Sequence, residues 1–317
     1  MEKRQLGKSD LFVAPFAFGG NVFGWTADEK TSFQLLDHFT AEGFNFIDTA
    51  NIYSTWVPGH TGGESEQIIG NWLKKHGKRQ QVVIATKVGG EMPPGKKGLS
   101  KKYIQRCVED SLQRLRTDYI DLYQSHFDDP DTPQEETMEA YTELVRQGKV
   151  RHIGASNFSA ARISSANGIA AQKVLHRYES IQPLYNLYDR QDFEKDLLPT
   201  VLKEQIGVIP YYSLASGFLT GKYRHEADTQ QGARGARAKR YMNERGNRIL
   251  AVLDQLSLEL NSSPAKLSLA WLIAQPGITA AIASATSLAQ LQELIAGIRL
   301  PLHEKAIRQL TAAGSYD

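Results

Sequence analysis

Four polar residues stand where short apolar runs end. Asp48 follows Phe46-Ile47, with Tyr53 five residues on. Lys87 follows Ala85-Thr86. His126 comes after Leu122-Tyr123-Gln124-Ser125. These residue types suit one kind of chemistry. A phenol with a reference pKa of about 10 gives up its proton reluctantly at neutral pH. A buried cation beside it favours the phenolate and makes it a better acid. Lys87 could supply that cation, and Asp48 the counter-ion that an ammonium in a dry site requires. His126 could orient a carbonyl oxygen by hydrogen bonding. An acid beside a carbonyl, with no metal cluster and no Ser or Cys nucleophile motif, points to carbonyl reduction or its reverse. That reaction needs a hydride donor, hence a nicotinamide cofactor. Taken singly, each residue has a plainer reading: Asp48 as a turn or cap, Lys87 as a solvated strand end, His126 as a satisfied structural histidine. Their convergence on one face of one fold makes the set a candidate site.

The elements that would position them repeat along the chain. Apolar runs at 13–18, 44–48, 82–86, 119–123, 150–154, 178–182, 208–211 and 279–283 read as strands. Amphipathic runs at 31–40, 64–75, 104–115, 136–146 and 288–298 read as helices, with Phe33, Leu36 and Phe39 on one stripe of the first. Ser100, Pro133, Gly43, Gly77, Gly148 and Gly207 fit helix boundaries. About eight strand–helix units predict a (β/α)8 TIM barrel, a single domain over residues 1–317, with chemistry at the carboxyl ends of the strands. The surplus length falls in a loop at 51–63, in a gap at 213–278 with a polar loop and two extra helices, and in a closing helix at 302–313.

Composition removes other classes. Of 317 residues, 41% are hydrophobic and 23% charged, so the chain should fold around a large core. Lys and Arg total 37 against 35 Asp and Glu, a net charge of +2, which suits neither nucleic-acid nor membrane-surface binding. Cys107 is the one cysteine; it excludes an internal disulfide and a Cys-based zinc cage, and reads as packing. The start carries no apolar leader, and the longest apolar stretch, 267–283, is broken by Gln275, Pro276 and Gly277, so a cytoplasmic protein is expected. The sequon Asn157-Phe158-Ser159 is read as coincidence. A doubly wound fold would need a Gly-x-Gly-x-x-Gly string, which is absent. The string 217–223 is not a P-loop, having three residues between Gly217 and Gly221 and Tyr223 after Lys222.

The strings Phe46-Ile47-Asp48-Thr49-Ala50-Asn51-Ile52-Tyr53, Ala85-Thr86-Lys87 and Asp121-Leu122-Tyr123-Gln124-Ser125-His126 resemble the aldo-keto reductase superfamily. So do Ile153-Gly154-Ala155-Ser156-Asn157-Phe158, Ser180-Ile181-Gln182-Pro183-Leu184-Tyr185-Asn186, and residues 214–223. The match runs in order over essentially the whole chain. It implies that Tyr53 is the proton donor, that Lys87 and Asp48 lower its pKa, and that His126 positions the carbonyl. By the same resemblance Ser156, Asn157 and Gln182 hold the nicotinamide carboxamide, and Tyr211 stacks on the ring, with Tyr212 as the fallback. Ser213, Leu214, Ser216, Gly217 and Lys222 lie where the family wraps the pyrophosphate, and Gly20 and Asn21 where the first loop meets cofactor and substrate. Glu293 matches the adenine-side acid.

The sequence departs from the family's pattern after the seventh strand, where Tyr211-Tyr212-Ser213-Leu214 lacks a proline, and after the eighth. Members that prefer NADPH often carry Lys or Arg near Ser284, Thr286 or Gln290, and residues 283–290 have none. The expected cofactor is NADPH, with the phosphate held by Ser284, Thr286 and a helix N-terminus, aided by Arg234 or Arg237; NADH remains open. The basic patch Arg234, Arg237, Lys239, Arg240 otherwise reads as a solvated mobile loop. Trp25, Tyr53, Trp56, His126 and Phe127 could line a pocket for a small carbonyl substrate, with Phe23 either there or in the core. Potassium-channel β-subunits resemble the same family, so a cofactor-holding regulatory module is the alternative function. A Schiff-base role for Lys87 is a third.

Overall fold

The computed structural model describes residues 2–230 and 234–316. Strands β1 (Arg4–Gln5) and β2 (Phe12–Val13) form an antiparallel hairpin. Strands β3 (Phe16–Gly19), β4 (Phe46–Asp48), β5 (Val83–Val88), β6 (Ile120–Ser125), β7 (Val150–Ser156), β8 (Tyr178–Gln182), β9 (Gly207–Val208) and β10 (Ala281–Ala283) pair in parallel in sequence order, with β10 against β3. The Thr279 and Ile282 amides donate to the Val208 and Pro210 carbonyls at 2.8 and 3.0 Å and close the circle. Together with the surrounding helices this is a (β/α)8 barrel.

Two of the expected strands are cut by prolines. The run 13–18 divides between the hairpin and β3, because Pro15 has no N–H for a ladder. The run 208–211 shrinks to β9 ahead of Pro210. The helix Ala160–Lys173 was outside the periodic runs named above. It buries Ala160, Ile163, Ala166 and Ala170, and alanines carry little periodic signal. Ser159 caps it by accepting from the Arg162 amide, which accounts for the hydroxyl of the sequon. Ser100 stands at a helix N-cap, but its side chain takes no capping bond. The 213–278 gap holds the two expected helices, Glu244–Glu259 and Pro264–Ile273, preceded by short turns of helix. The closing helix is Glu304–Ala313.

Alternation fixes what faces where. Ala17, Phe46, Val83, Ala85, Leu122, Ile209, Ala280 and Ile282 form one buried cluster with Leu6, Leu11 and Val13 of the hairpin. The hairpin therefore plugs the amino-terminal end of the barrel, and the opposite end is left for polar groups. Leu11 is 1% exposed. Leu11→Ala should cost about 2–5 kcal/mol, the range for a cavity in a packed core. Chemical denaturation would measure it, and a loss well under that range would mean that the plug is dispensable.

Candidate active site

Side chains on a strand alternate faces. Phe46 points into the barrel, so Asp48 does too. Ala85 brings Lys87 inward, and Leu122 brings in Gln124. His126 lies just past β6, its amide donating to the Val88 carbonyl at 2.7 Å. Tyr53 reaches back from the turn-rich segment after β4. Four groups separated by up to 78 positions in sequence (126 − 48) thus meet at the carboxyl end of the barrel.

Lys87 is the centre of the arrangement and has no exposed surface. Its Nζ donates to Asp48 Oδ2 at 2.7 Å, to the Thr49 carbonyl at 2.7 Å and to Tyr53 Oη at 3.0 Å, which uses all three of its protons. Asp48 is buried as well. Its Oδ1 accepts from Gln182 Nε2 at 2.9 Å and from Gln124 Nε2 at 3.4 Å. Tyr53 Oη donates to Asp48 Oδ2 at 3.4 Å. Burial, and after it the Asp48 carboxylate, push the Tyr53 hydroxyl well above the ordinary phenol range. The direct effect of Asp48 on Tyr53 opposes ionisation; any help it gives toward the phenolate is indirect, through keeping the Lys87 ammonium charged. The resting hydroxyl keeps its proton and is available to give it. For Lys87, burial lowers the pKa and Asp48 acts against that.

The His126 ring packs parallel to Phe127 at 4.6 Å and meets Tyr53 edge-on at 6.0 Å. Neither ring nitrogen has a partner among the described residues, and Nδ1 is buried. Burial, with the Lys87 charge adding to it, holds its pKa well below the usual histidine range. The ring is therefore neutral at neutral pH. Its side-chain proton resonances should show no titration between about pH 6 and pH 8, where an ordinary histidine changes charge. A midpoint inside that window, read by NMR against His126→Gln, would refute the assignment of a neutral ring.

The residues expected to hold a cofactor fall into three groups. Ser156, Asn157, Gln182 and Tyr211 come together at the ends of β7, β8 and β9. Ser156 Oγ donates to the Gln182 carbonyl at 2.8 Å, Asn157 Nδ2 to the His126 carbonyl at 2.9 Å, and Tyr211 Oη to Asn157 Oδ1 at 2.8 Å. A second group joins the ends of β3 and β10. With the Asn21 amide oriented to satisfy its neighbours, it donates to Ser284 Oγ at 2.7 Å and accepts from Arg234 at 3.0 Å. Gly20 lies beside it, over the Asp48 carbonyl. The third group is the loop after β9. Tyr212, Ser216 and Gly217 all have positive φ (55, 56 and 93°), and Gly217 packs beneath Lys222. Leu214 is half-buried there.

Some expected residues are turned elsewhere. Ser213 is buried, with Oγ donating to the Ile282 carbonyl at 2.7 Å, so its side chain serves the barrel wall. Gln290 accepts from the amide and hydroxyl of Thr286. Glu293 accepts from Ser263 Oγ at 2.7 Å. Phe23 is wholly buried, stacked on Phe18, and belongs to the core. Trp56 and Phe127 are exposed at 45% and 44%, and Trp25 meets Trp56 edge-on at 5.6 Å, which leaves an aromatic rim around Tyr53.

The basic patch is not a free loop. Residues 231–233 of that loop lie outside the described residues, but from Arg234 onward the chain folds over the mouth. Arg237 sits in the short helix Gly235–Ala238 and donates to Tyr212 Oη at 3.0 Å. Lys239 pairs with Glu226, and Arg240 with Asp189 at 3.0 Å. Among the described residues neither Arg234 nor Arg237 has a carboxylate partner. Two uncompensated guanidinium groups beside the mouth fit a phosphate-bearing ligand. Gln124 was missed as a site residue, though it stands two positions before His126 on the same strand face.

A parallel barrel with this inward set narrows the field, and sequence comparison decides it. The family model described as "Aldo/keto reductase family" matches residues 15–315. The chain belongs to the aldo/keto reductase family. It is 36% identical to a Bacillus subtilis protein named "Uncharacterized oxidoreductase YrpG", over 98% of this chain and 95% of the relative. It is 35% identical to "Aldo-keto reductase YhdN" of the same organism, over 90% and 84%. It is 34% identical to a "Probable voltage-gated potassium channel subunit beta" of Arabidopsis thaliana, over 92% and 90%. As an aldo/keto reductase it is an oxidoreductase of a family that uses nicotinamide cofactors. No helix among its described residues is long and apolar enough to cross a membrane.

Proposed function

We propose that this aldo/keto reductase reduces aldehyde or ketone carbonyls to alcohols with Tyr53 as general acid. The observation that carries the reading is the saturated Lys87 ammonium, held by Asp48 and Thr49 with its third bond on Tyr53 Oη. That bond occupies a lone pair of the phenol, and the phenolic proton, held only by the long 3.4 Å bond to Asp48 Oδ2, turns to the substrate oxygen. A bound nicotinamide supplies the hydride. As charge develops on the carbonyl oxygen, Tyr53 releases its proton there and Lys87 compensates the phenolate. A neutral His126 donates one ring N–H to the same oxygen and orients it. Ser156, Asn157 and Gln182 would hold the carboxamide, and Tyr211 would lie against the ring. The aromatic rim of Trp25, Trp56 and Phe127 would exclude water from a small carbonyl compound.

NADPH is the preferred cofactor in this reading. Ser284 and the N-terminus of the helix Leu288–Arg299 offer donors to a phosphate, and Thr286 joins them by exchanging its bonds to Gln290. Arg234 and Arg237 supply the charge that residues 283–290 lack. The protein acts as a cytoplasmic single-domain enzyme. Titration of the protein with NADPH and with NADH tests the cofactor assignment, and tighter NADH binding would reverse it. A panel of small aldehydes, followed by loss of reduced-nicotinamide absorbance, tests the reaction. The likeness to a channel β-subunit favours a second reading, a cofactor-holding module that docks a partner. Firm cofactor binding without turnover of any aldehyde would favour that reading.

A further inference from the structure

Two carboxylates are buried near Lys87, and the reaction as described uses one. Asp48 faces the ammonium from inside the barrel. The other, Glu66, has no exposed surface and sits in the first turn of the helix Glu64–His76, outside the barrel wall. Its Oε1 accepts from Thr86 Oγ1 at 2.6 Å, and its Oε2 from Arg114 Nε at 2.7 Å. Thr86 precedes Lys87 on β5 and points outward because Lys87 points inward. The neighbouring Ser65 makes the matching contact one strand over. Its Oγ lies 2.8 Å from Thr49 Oγ1, on the residue after Asp48, and donates to the Gly20 carbonyl at 2.7 Å. One helical turn therefore grips, from outside, both strand ends that present Asp48 and Lys87 inside.

We propose that Glu66 is a positioning residue for Lys87: its carboxylate is the second negative charge that keeps the amine protonated in a dry barrel, and its bond to Thr86 fixes where the ammonium sits. The inference rests on the reading of Lys87 as the cation beside Tyr53. An ammonium withdrawn from water is driven toward the neutral amine, and each nearby carboxylate resists this. The charged and titratable groups around Lys87 are Asp48 on β4, Tyr53 in the following turn, His126 past β6, and Glu66 on the helix outside. Burial is the largest influence on Lys87, with Asp48 and then Glu66 acting against it. The half-buried Arg114 pairs with Glu66 on its far oxygen, so the set around Lys87 holds two positive and two negative groups.

The test is an NMR pH titration of the Lys87 side chain in the full-length protein, with the resonance assigned by Lys87→Arg. Glu66→Gln keeps the acceptor for Thr86 and removes the charge. The Lys87 midpoint should then fall by about one pH unit, a tenfold change in the protonation equilibrium. The basic limb of the pH–rate profile should move down with it. Ser65→Ala removes the neighbouring bond without touching charge and should leave the midpoint in place. Should Glu66→Gln fail to fold, Glu66→Gln with Arg114→Gln removes both charges. Glu66 contacts Thr86 directly and Arg114 stands on its other oxygen, so a smaller shift of the same sign is expected, and no shift at all would overturn the proposal. An unmoved midpoint in the folded Glu66 variant, or an equal shift in Ser65→Ala, would overturn the proposal. A shifted midpoint in a protein that reduces no aldehyde would uphold the role of Glu66 and defeat the catalytic reading of Tyr53.

Discussion

Tyr53→Phe should lower kcat for aldehyde reduction by roughly a hundred- to ten-thousand-fold, the contribution expected of a positioned general acid. The substitution keeps the ring that meets His126 at 6.0 Å and Trp56 at 6.2 Å, so the wall of the site stays. It deletes the one group at the mouth that combines a proton with a hydrogen bond from Lys87. Lys87 retains Asp48 and the Thr49 carbonyl, so folding stability and cofactor affinity should change little. Steady-state kinetics beside a cofactor titration make the comparison. Turnover equal to that of the unaltered protein would remove Tyr53 from the reaction, whatever the fold.

Lys87→Met should abolish turnover and also cost about 3–5 kcal/mol of stability, the penalty for breaking a buried ion pair from one side. Met fills much of the lysine stem, so the loss is not a cavity effect. What remains is the Asp48 carboxylate, 1% exposed, with neutral donors alone around it: the amides of Gln182 and Gln124 and, at 3.4 Å, the Tyr53 hydroxyl. Adding Asp48→Asn should recover most of the stability and none of the activity, because the burden is an unpaired charge and the chemistry needs the cation. Denaturant unfolding of the two variants separates the effects. A single variant as stable as the unaltered protein would mean that Lys87 and Asp48 do not depend on each other for their burial.

The bottom of the barrel shows that buried charge here is not confined to chemistry. Asp121 accepts from Arg79 and from Arg151, each at 2.8 Å, and from the Ile84 amide at 2.9 Å, beside the hairpin plug. That acid lies near the start of β6, whereas Gln124 and His126 lie at and just past its end. The same strand thus carries a structural charge at one end and candidate site groups at the other, in line with the division of labour in such barrels.

Repetition made the architecture readable from sequence. Eight apolar runs separated by amphipathic ones allow few other closures, and the ends of those runs already placed Asp48, Lys87 and His126 at one face of the barrel. The strand limits were less legible where Pro15 and Pro210 interrupt pairing. The alanine-rich helix Ala160–Lys173 was missed because small side chains hardly register as apolar.

The types and order of the candidate site groups were written in the chain itself, since only local pattern and residue chemistry are needed to see them. Their energetics required the folded structure. That Asp48 opposes ionisation of Tyr53, that Ser213 turns to the barrel wall, that Arg234 and Arg237 lack carboxylates, and that Glu66 lies buried behind Thr86 all depend on distance and on exclusion of water. Electrostatic effects scale with separation and local polarity, and both are properties of atoms brought together from distant parts of the chain.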